Sequence, residues 1–148
     1  NVIISCDPTE LEAVCDVISG AEWNCAPLRS DAILHRVSRG DAEELPWSLW
    51  GEDKFVAPRG VDAHEHQRNH HERRVAYLIL NPAPDPVEAY MDALLSEDCP
   101  VIMDGNHRLL AAAISGVARV LVSVPDEDVA RFISVIRSAT CDEVSPAW

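Results

Sequence analysis

The chain opens with a strand-like and then a helix-like spacing of apolar residues. Residues 2–5 are mostly apolar and predict a short strand. Asp7 then offers a helix cap, Pro8 suits the first helical position, and Glu10 completes a capping box. The apolar residues that follow recur at helical spacing: Leu11, Val14, Cys15 and Ile18. We therefore predict a helix that starts at Pro8 and is stopped by Gly20.

A second amphipathic helix is predicted from a cap at Ser30 or Asp31 to Arg39, with Gly40 as its stop. Its apolar face consists of Ile33, Leu34 and Val37. Residues 41–50 follow with two of the four tryptophans of the chain. They predict a short capped turn or helix in which both rings pack, because large aromatic side chains dominate the burial of apolar surface.

The most polar stretch of the chain is residues 62–74, which contain no apolar side chain between His64 and Glu72. If this stretch is helical, it predicts a solvated surface helix with ion pairs of the Glu65–Arg68 and Arg68–Glu72 type. Two of its histidines, His66 and His70, are four residues apart and can share a metal ion, yet no third ligand is suitably spaced for a zinc site.

Apolar residues return after this polar stretch. Residues 75–80 fit either the end of a helix or a strand. Three prolines then force a loop: Pro82, Pro84 and Pro86. Residues 87–95 are again ambiguous, since their helical propensity opposes a family resemblance that favours a strand.

The last third has the clearest pattern. Residues 101–103 predict a short strand, and residues 106–115 predict an apolar helix that is buried nearly all round and ends at Gly116. Residues 117–124 predict a largely buried strand. Pro125 then opens an amphipathic helix with one apolar face: Val129, Phe132, Ile133 and Ile136. The fold class is therefore mixed α/β.

Composition limits the function. The 148 residues include 12 basic and 25 acidic side chains, for a net charge of −13, which disfavours binding of nucleic acid or anionic membrane by bulk electrostatics. No apolar run approaches the roughly 20 residues that cross a bilayer. Five cysteines, without a Cys-x-x-Cys pair, favour a reducing compartment, so we expect a cytoplasmic protein without membrane partners.

Candidate chemistry lies at the turn from Asp104 to Arg108. A helix N-terminus presents unpaired N–H groups and a partial positive charge, and Gly105 lets an anion approach the backbone. His107 and Arg108 add side chains that suit a phosphate or carboxylate. The alternative is structural: Asp104 caps the helix and Arg108 pairs with a nearby carboxylate. The residues alone leave both interpretations open.

The segment Val101-Ile-Met-Asp-Gly-Asn-His-Arg-Leu-Leu-Ala-Ala-Ala, followed by Gly116 and an apolar strand, resembles the signature of the ParB/sulfiredoxin-like superfamily. Its motif is most similar to the Asp-Gly-His-His-Arg form of the free-serine kinases and departs from it at Asn106. The sulfiredoxin cysteine is missing there, which disfavours reduction of cysteine sulfinic acid. The resemblance is specific over residues 86–124, faint over 62–81 and absent from the first 60.

This resemblance implies a ParB/sulfiredoxin-like fold, with a small mixed sheet and surrounding helices. We expect a single domain over residues 1–148, with a mainly helical N-terminal part at 1–60 and the core at 62–137. The implied function is a nucleotide-binding enzyme that performs phosphoryl transfer or nucleotide hydrolysis. The implied ligands are a nucleoside di- or triphosphate (ATP, ADP or CTP) and Mg²⁺.

The resemblance also implies roles for individual residues. Asp104 would hold Mg²⁺, and His107 would act catalytically by neutralising developing charge. The other phosphate-binding residues would be Gly105, Asn106, Arg108, Arg73 and Arg74. In the free-serine kinases a His-Glu pair supplies the catalytic carboxylate. Two pairs here match that pattern, so the carboxylate would be Glu65 or Glu72.

Two other function classes stay open. A ParB-like DNA-associated factor or nuclease needs a basic track, and residues 59–74 offer a net charge of only about +1 by residue count. A non-catalytic interaction module would keep the nucleotide pocket as a switch. Nucleotide binding without turnover would distinguish such a module from an enzyme, and the oligomeric state is left open.

Overall fold

The computed structural model describes residues 1–44, 56–92 and 99–141. Within them the strands are β1 (Val2–Cys6), β2 (Val87–Met91), β3 (Pro100–Asp104), β4 (Val120–Val124) and β5 (Thr140–Cys141). The α-helices are α1 (Pro8–Cys15), α2 (Ser30–Arg39), α3 (Ala63–Leu80), α4 (Asn106–Ser115) and α5 (Val129–Val135). Short 3₁₀ turns occupy Val17–Ser19, Ala21–Trp23 and Asp126–Asp128. The predicted mixed α/β class is confirmed.

The chain divides into two compact units. The sheet unit comprises Asn1–Asp16 and Ala83–Trp148, and the helical unit comprises Val17–Pro82. The helical unit is thus an insertion in the sequence of the sheet unit. The expected division between a helical N-terminal part and the core fell near residue 60. The helical unit instead extends to Pro82, because α3 packs against α2 inside it.

The sheet unit is built on five strands in the order β3-β2-β4-β1-β5. β1 runs antiparallel to β4 and to β5, and β2 runs antiparallel to β3 with an irregularity between Glu88 and Ala89. β2 and β4 are parallel, with Val87 opposite Val122. The ambiguous segment at 87–95 is therefore a strand over Val87–Met91, and residues 93–95 lie outside the described ranges.

Alternating strand residues and one face of each helix form the core of the sheet unit. α1 packs against α4, and α5 contacts β2. Fully or almost fully buried side chains of this core are Ile4, Leu11, Val87, Leu109, Leu110, Val122, Val124, Phe132 and Ile136. The predicted all-round burial of α4 is wrong, because only Leu109, Leu110 and Ala111 of this helix are buried.

The capping box predicted at α1 is wrong. Asp7 does cap the helix, through its carboxylate and the backbone N–H of Thr9, but the carboxylate of Glu10 binds Arg137 and Ser138 instead. The N–H of Asp7 donates to the hydroxyl of Ser138. The helix ends at Cys15, before the predicted stop, because Asp16 adopts the left-handed conformation with φ of 55°.

Three apolar positions are also more exposed than predicted. Val117 lies outside β4, and Leu121 alternates outward within it, so the strand is shorter and half-exposed. Val14 of α1 is exposed, although Leu11 one turn earlier is fully buried. Of the turn predicted at 41–50, residues 45–50 lie outside the described ranges.

The helical unit pairs α2 with α3, and its predicted surface helix is wrong in its second half. α3 is one helix over the whole of Ala63–Leu80, and three consecutive polar residues in it are buried: His70, His71 and Glu72. α2 ends at Arg39 as predicted, but the predicted cap at Ser30 or Asp31 is wrong, because Ser30 is already helical and the N-cap is Arg29 without a side-chain hydrogen bond. Only Ile33 of its apolar face is buried, and Leu34 is exposed. A polar stretch can be buried here because ionic partners from α2 satisfy it.

In the described parts of the chain, none of the helices combines the length and the apolar character that crossing a bilayer requires.

Candidate functional site

Arg108 occupies the first turn of α4, and its guanidinium is held in place by the loop before β2. Nη2 donates to the backbone oxygen of Pro86 at 3.2 Å and to Oδ2 of Asp104 at 3.3 Å. Nη1 lies 4.0 Å from the carboxylate of Asp85. Nε is buried and has no hydrogen-bond partner among the described residues. The guanidinium is therefore held in one orientation, and its Nε–H group makes no hydrogen bond to a described residue.

Gly105 makes room for this guanidinium. Its φ of +104° is a conformation that side-chain-bearing residues rarely adopt, and a Cβ at this position would lie 2.9 Å from Nη2 of Arg108. Gly105 is also the N-cap of α4 and contributes no side chain to it. Because Asp104 pairs with Arg108 instead of capping, the first N–H groups of α4 receive no side-chain cap.

A cleft of about 380 Å³ opens at this turn within the sheet unit. Its polar lining contains Asp85, Glu88, Asp104, Arg108 and Ser123. Three carboxylates and one guanidinium therefore line the cleft, so the net charge of its lining is negative. A bare phosphate would be repelled there unless a cation accompanied it, because like charges in a partly desolvated cleft oppose each other.

Asp104 meets the requirements of a single protein ligand for Mg²⁺. Its side chain is 67% exposed at the mouth of the cleft and adjoins the Arg108 guanidinium. Mg²⁺ in nucleotide sites is commonly held by one or two carboxylates together with phosphate oxygens and water. The described residues contain no cluster of three or more His, Cys, Asp or Glu side chains that could hold a metal alone. The described residues could therefore hold Mg²⁺ only together with ligands from outside this group.

Two further predicted residues lie in the same turn. Asn106 and His107 are half-buried in the first turn of α4. The sheet unit thus brings together the five residues predicted around one phosphate site: Asp104, Gly105, Asn106, His107 and Arg108.

The other predicted site residues all belong to α3 in the helical unit. Glu65 is exposed near the start of the helix. Glu72 is fully buried, and Arg73 binds Asp41 through Nε at 3.0 Å. The guanidinium of Arg74 lies 5.5 Å from the ring centre of Tyr77.

Glu72 is the buried centre of an ionic cluster. Its carboxylate accepts hydrogen bonds from the backbone N, Nε and Nη2 of Arg29 and from Nε of Arg36, at 2.8–3.2 Å. Burial alone would raise the pKa of this carboxyl, but the bonds from Arg29 and Arg36 outweigh burial and hold the pKa below its ordinary value. Glu72 therefore stays ionised with its oxygens occupied.

Asp41 extends this cluster on the other side of Arg36. Oδ2 of Asp41 accepts from Nη1 of Arg36 at 2.6 Å, and Oδ1 accepts from Arg73. Burial raises the pKa of Asp41, while its bonds with Arg73 and Arg36 lower it further than burial raises it. The predicted pairing of Arg68 with Glu72 is replaced by these contacts.

Sequence reasoning missed the α2 half of the cluster. A signal for it exists: Arg29 and Arg36 are seven residues apart, which places them on one face of a helix two turns apart. The complementary anions on α3 come from a segment far along the chain, so no local spacing could indicate the pairing.

No protein-family model matches this chain, and no curated protein and no solved structure matches it significantly.

Proposed function

We propose that this protein binds a nucleoside di- or triphosphate (ATP, ADP or CTP) with Mg²⁺ in the Arg108 cleft. The reaction proposed is phosphoryl transfer or nucleotide hydrolysis. The protein would belong to the ParB/sulfiredoxin-like type that its Asp104–Arg108 motif resembles.

The observation that carries this proposal is the state of Arg108. Its guanidinium is fixed by Pro86 and Asp104 at the mouth of a cleft, while its Nε has no partner among the described residues. A fixed guanidinium beside uncapped helix N–H groups is a preorganised arrangement for phosphate oxygens. The acidic surroundings add a requirement for a cation, which Mg²⁺ meets.

The roles follow from this arrangement. Asp104 holds Mg²⁺, and the N–H groups of Gly105 and Asn106 receive phosphate oxygens. His107 and Arg108 neutralise the charge that develops on the transferred group. Ser123 of β4 adds a hydroxyl to the same cleft.

The general base is a separate part of the proposal. The resemblance implies Glu65 or Glu72, together with phosphate contacts from Arg73 and Arg74. Glu72 is enclosed by arginines, whereas Glu65 is exposed. Phosphate release measured for Glu65→Gln and Glu72→Gln tests whether either carboxylate takes part in turnover.

The proposal is tested by thermal unfolding of the wild type and Arg108→Ala with ATP, ADP, CTP and GTP, each with and without Mg²⁺. A ligand at about 100 times its Kd should add roughly 2.7 kcal/mol to the free energy of unfolding, which raises Tm by several degrees. We expect a Mg²⁺-dependent rise in the wild type that Arg108→Ala loses.

Arg137→Ala is the matched control, since Arg137 is exposed and alanine keeps the backbone N–H that Arg137 donates to Glu10. It removes the same charge and should keep the rise. Failure of every nucleotide to shift the wild type would refute the proposal. A shift without release of phosphate would indicate the non-catalytic module. The DNA-binding alternative is disfavoured because Arg73 of its basic track is already paired with Asp41.

A further inference from the structure

His66 and His70 face each other one turn apart on α3. The Nε2 atoms of the two rings are 3.3 Å apart. The ring centres are 4.7 Å apart, and the ring planes meet at 81°. His66 is half-buried and His70 is almost fully buried, so the pair lies at the edge of the helical unit's interior.

This separation is what one metal ion requires of two imidazoles. Zinc–nitrogen bonds of about 2.05 Å at a tetrahedral angle put the two nitrogens about 3.3 Å apart. Two histidines four residues apart on a helix are also the ligand pair that recurs in helical metal sites, because that spacing places both rings on one side. Both rings therefore converge without a change in the backbone.

Glu43 fixes the orientation of one ring. Its Oε2 lies 2.9 Å from Nδ1 of His70. A carboxylate in this position accepts the Nδ1 proton, which leaves the Nε2 lone pair of His70 directed at the position between the two rings. Carboxylate–histidine pairs of this kind commonly support metal-bound imidazoles and increase their basicity.

The charges around the pair are balanced. Arg73 approaches Glu43, with Nη1 3.9 Å from Oε1, and also binds Asp41. Arg36 also donates to Asp41, so two carboxylates offset two guanidiniums on this side of α3. An added dication is not opposed by an excess of positive charge.

From this geometry we propose that His66 and His70 bind a divalent transition-metal ion of the Zn²⁺, Ni²⁺ or Cu²⁺ class, with Glu43 as the positioning residue. These ions accept imidazole ligands readily. The described residues supply two protein ligands, and no third is grouped with them. The remaining coordination positions are filled by water or by ligands from outside the described residues.

The test uses the full chain without a histidine tag and Zn²⁺ as the probe. Zinc affinity is measured by calorimetry for the wild type, His66→Ala, Glu43→Gln and the control His64→Ala. His64 is exposed and lies off the face that His66 and His70 share. We expect His64→Ala to match the wild type, His66→Ala to lose at least tenfold in affinity, and Glu43→Gln to lose about 10–100-fold.

A second readout separates the imidazoles from the five cysteines, which also take zinc. Side-chain ¹⁵N NMR of the wild type should show the Nε2 resonances of His66 and His70 shifting together at one equivalent of Zn²⁺. Unchanged resonances, or equal zinc affinity in His66→Ala and His64→Ala, would refute the site and reduce the 3.3 Å contact to an ordinary hydrogen bond. The phosphate site proposed at residues 104–108 lies in the sheet unit, so neither result bears on it.

Discussion

Arg29 donates three hydrogen bonds to the carboxylate of Glu72. Its backbone N and Nε donate to Oε2 at 2.9 and 3.0 Å, and its Nη2 donates to Oε1 at 2.8 Å. One residue ahead of α2 thus anchors the middle of α3. Arg36, two turns further along α2, completes the set.

The first prediction concerns this anchor. Glu72→Gln keeps the shape of the side chain but removes the charge that Arg29 and Arg36 share. We expect a loss of about 3 kcal/mol in the free energy of unfolding, because the substitution breaks an ion pair whose carboxylate is fully buried and leaves the largely buried Arg36 without that charge. Urea unfolding measures the loss. Glu65→Gln, an exposed change on the same helix, should stay within about 0.5 kcal/mol of the wild type. Equal effects of the two substitutions would show that the cluster adds no stability.

The second prediction concerns His71, which is buried and stacks on Trp23 with ring centres 4.3 Å apart. Burial, with a smaller contribution from His70, lowers the pKa of His71 to about 3. The unfolded chain binds this proton near pH 6.5, so stability is complete above that pH and falls as the pH drops towards 3. We expect a loss of about 2 kcal/mol between pH 7.5 and pH 5 from this group.

His71→Phe keeps a ring against Trp23 and removes the titration. Its stability should therefore depend less on pH over the same range, by that amount, as measured by urea unfolding at both pH values. His35→Phe changes an exposed histidine and should keep the wild-type dependence. A wild-type dependence in His71→Phe would contradict burial as the cause.

The third prediction compares the two glycines that flank α4, Gly105 at its N-cap and Gly116 at its C-cap. Gly105 and Gly116 both have positive φ, at +104° and +76°, so alanine at either should cost about 1–2 kcal/mol. Only at Gly105 would the new Cβ meet the guanidinium of Arg108, since nothing lies within 4 Å of Gly116. Gly105→Ala should therefore also weaken nucleotide binding about tenfold or more, and Gly116→Ala should not. Thermal unfolding and a binding titration on both variants measure the two effects separately.

The fourth prediction concerns Glu10. Its carboxylate accepts from the backbone N–H groups of Arg137 and Ser138 at 2.8 and 2.9 Å and from the hydroxyl of Ser138 at 2.5 Å. The hydroxyl bond is the main reason that the pKa of Glu10 lies below its ordinary value. Glu10→Ala should cost about 1–2 kcal/mol, because it leaves those donors without their acceptor. Chemical unfolding checks the loss, and the exposed Glu127→Ala is expected to be neutral; parity between the two would contradict the prediction.

Local signals predicted the elements well. The predicted helix at 106–115 and the predicted end of α2 at Arg39 are confirmed, because a glycine ends each helix. The strand near residue 2 is also confirmed. What failed depends on distant partners: Glu10 satisfies donors near residue 138 instead of its own helix, and the buried Glu72 of α3 pairs with Arg29 and Arg36.

The candidate site also combines residues that local sequence signals predicted with residues that come from distant segments. Residues 104–108 adjoin in the sequence, so their meeting around one turn followed directly from a strand–glycine–helix pattern. Pro86 and Asp85, which orient Arg108, come from the loop before β2 and had no local signal. Glu43 lies in an irregular segment and His70 lies in a helix, so the spacing of residues along the chain could not predict their contact.

The strand order has a consequence for how the protein acquires its structure. β1 lies between β4 and β5, so Val2 pairs with Val124 and Ser5 with Thr140, across nearly the full described chain. During synthesis, both edges of β1 stay unpaired until those late residues leave the ribosome. The helical unit can form before β1 is paired, because α2 and α3 lie closer together in the sequence than β1 and β4 do. We expect closure of the sheet to limit the folding rate, since long-range pairing must first overcome loop entropy.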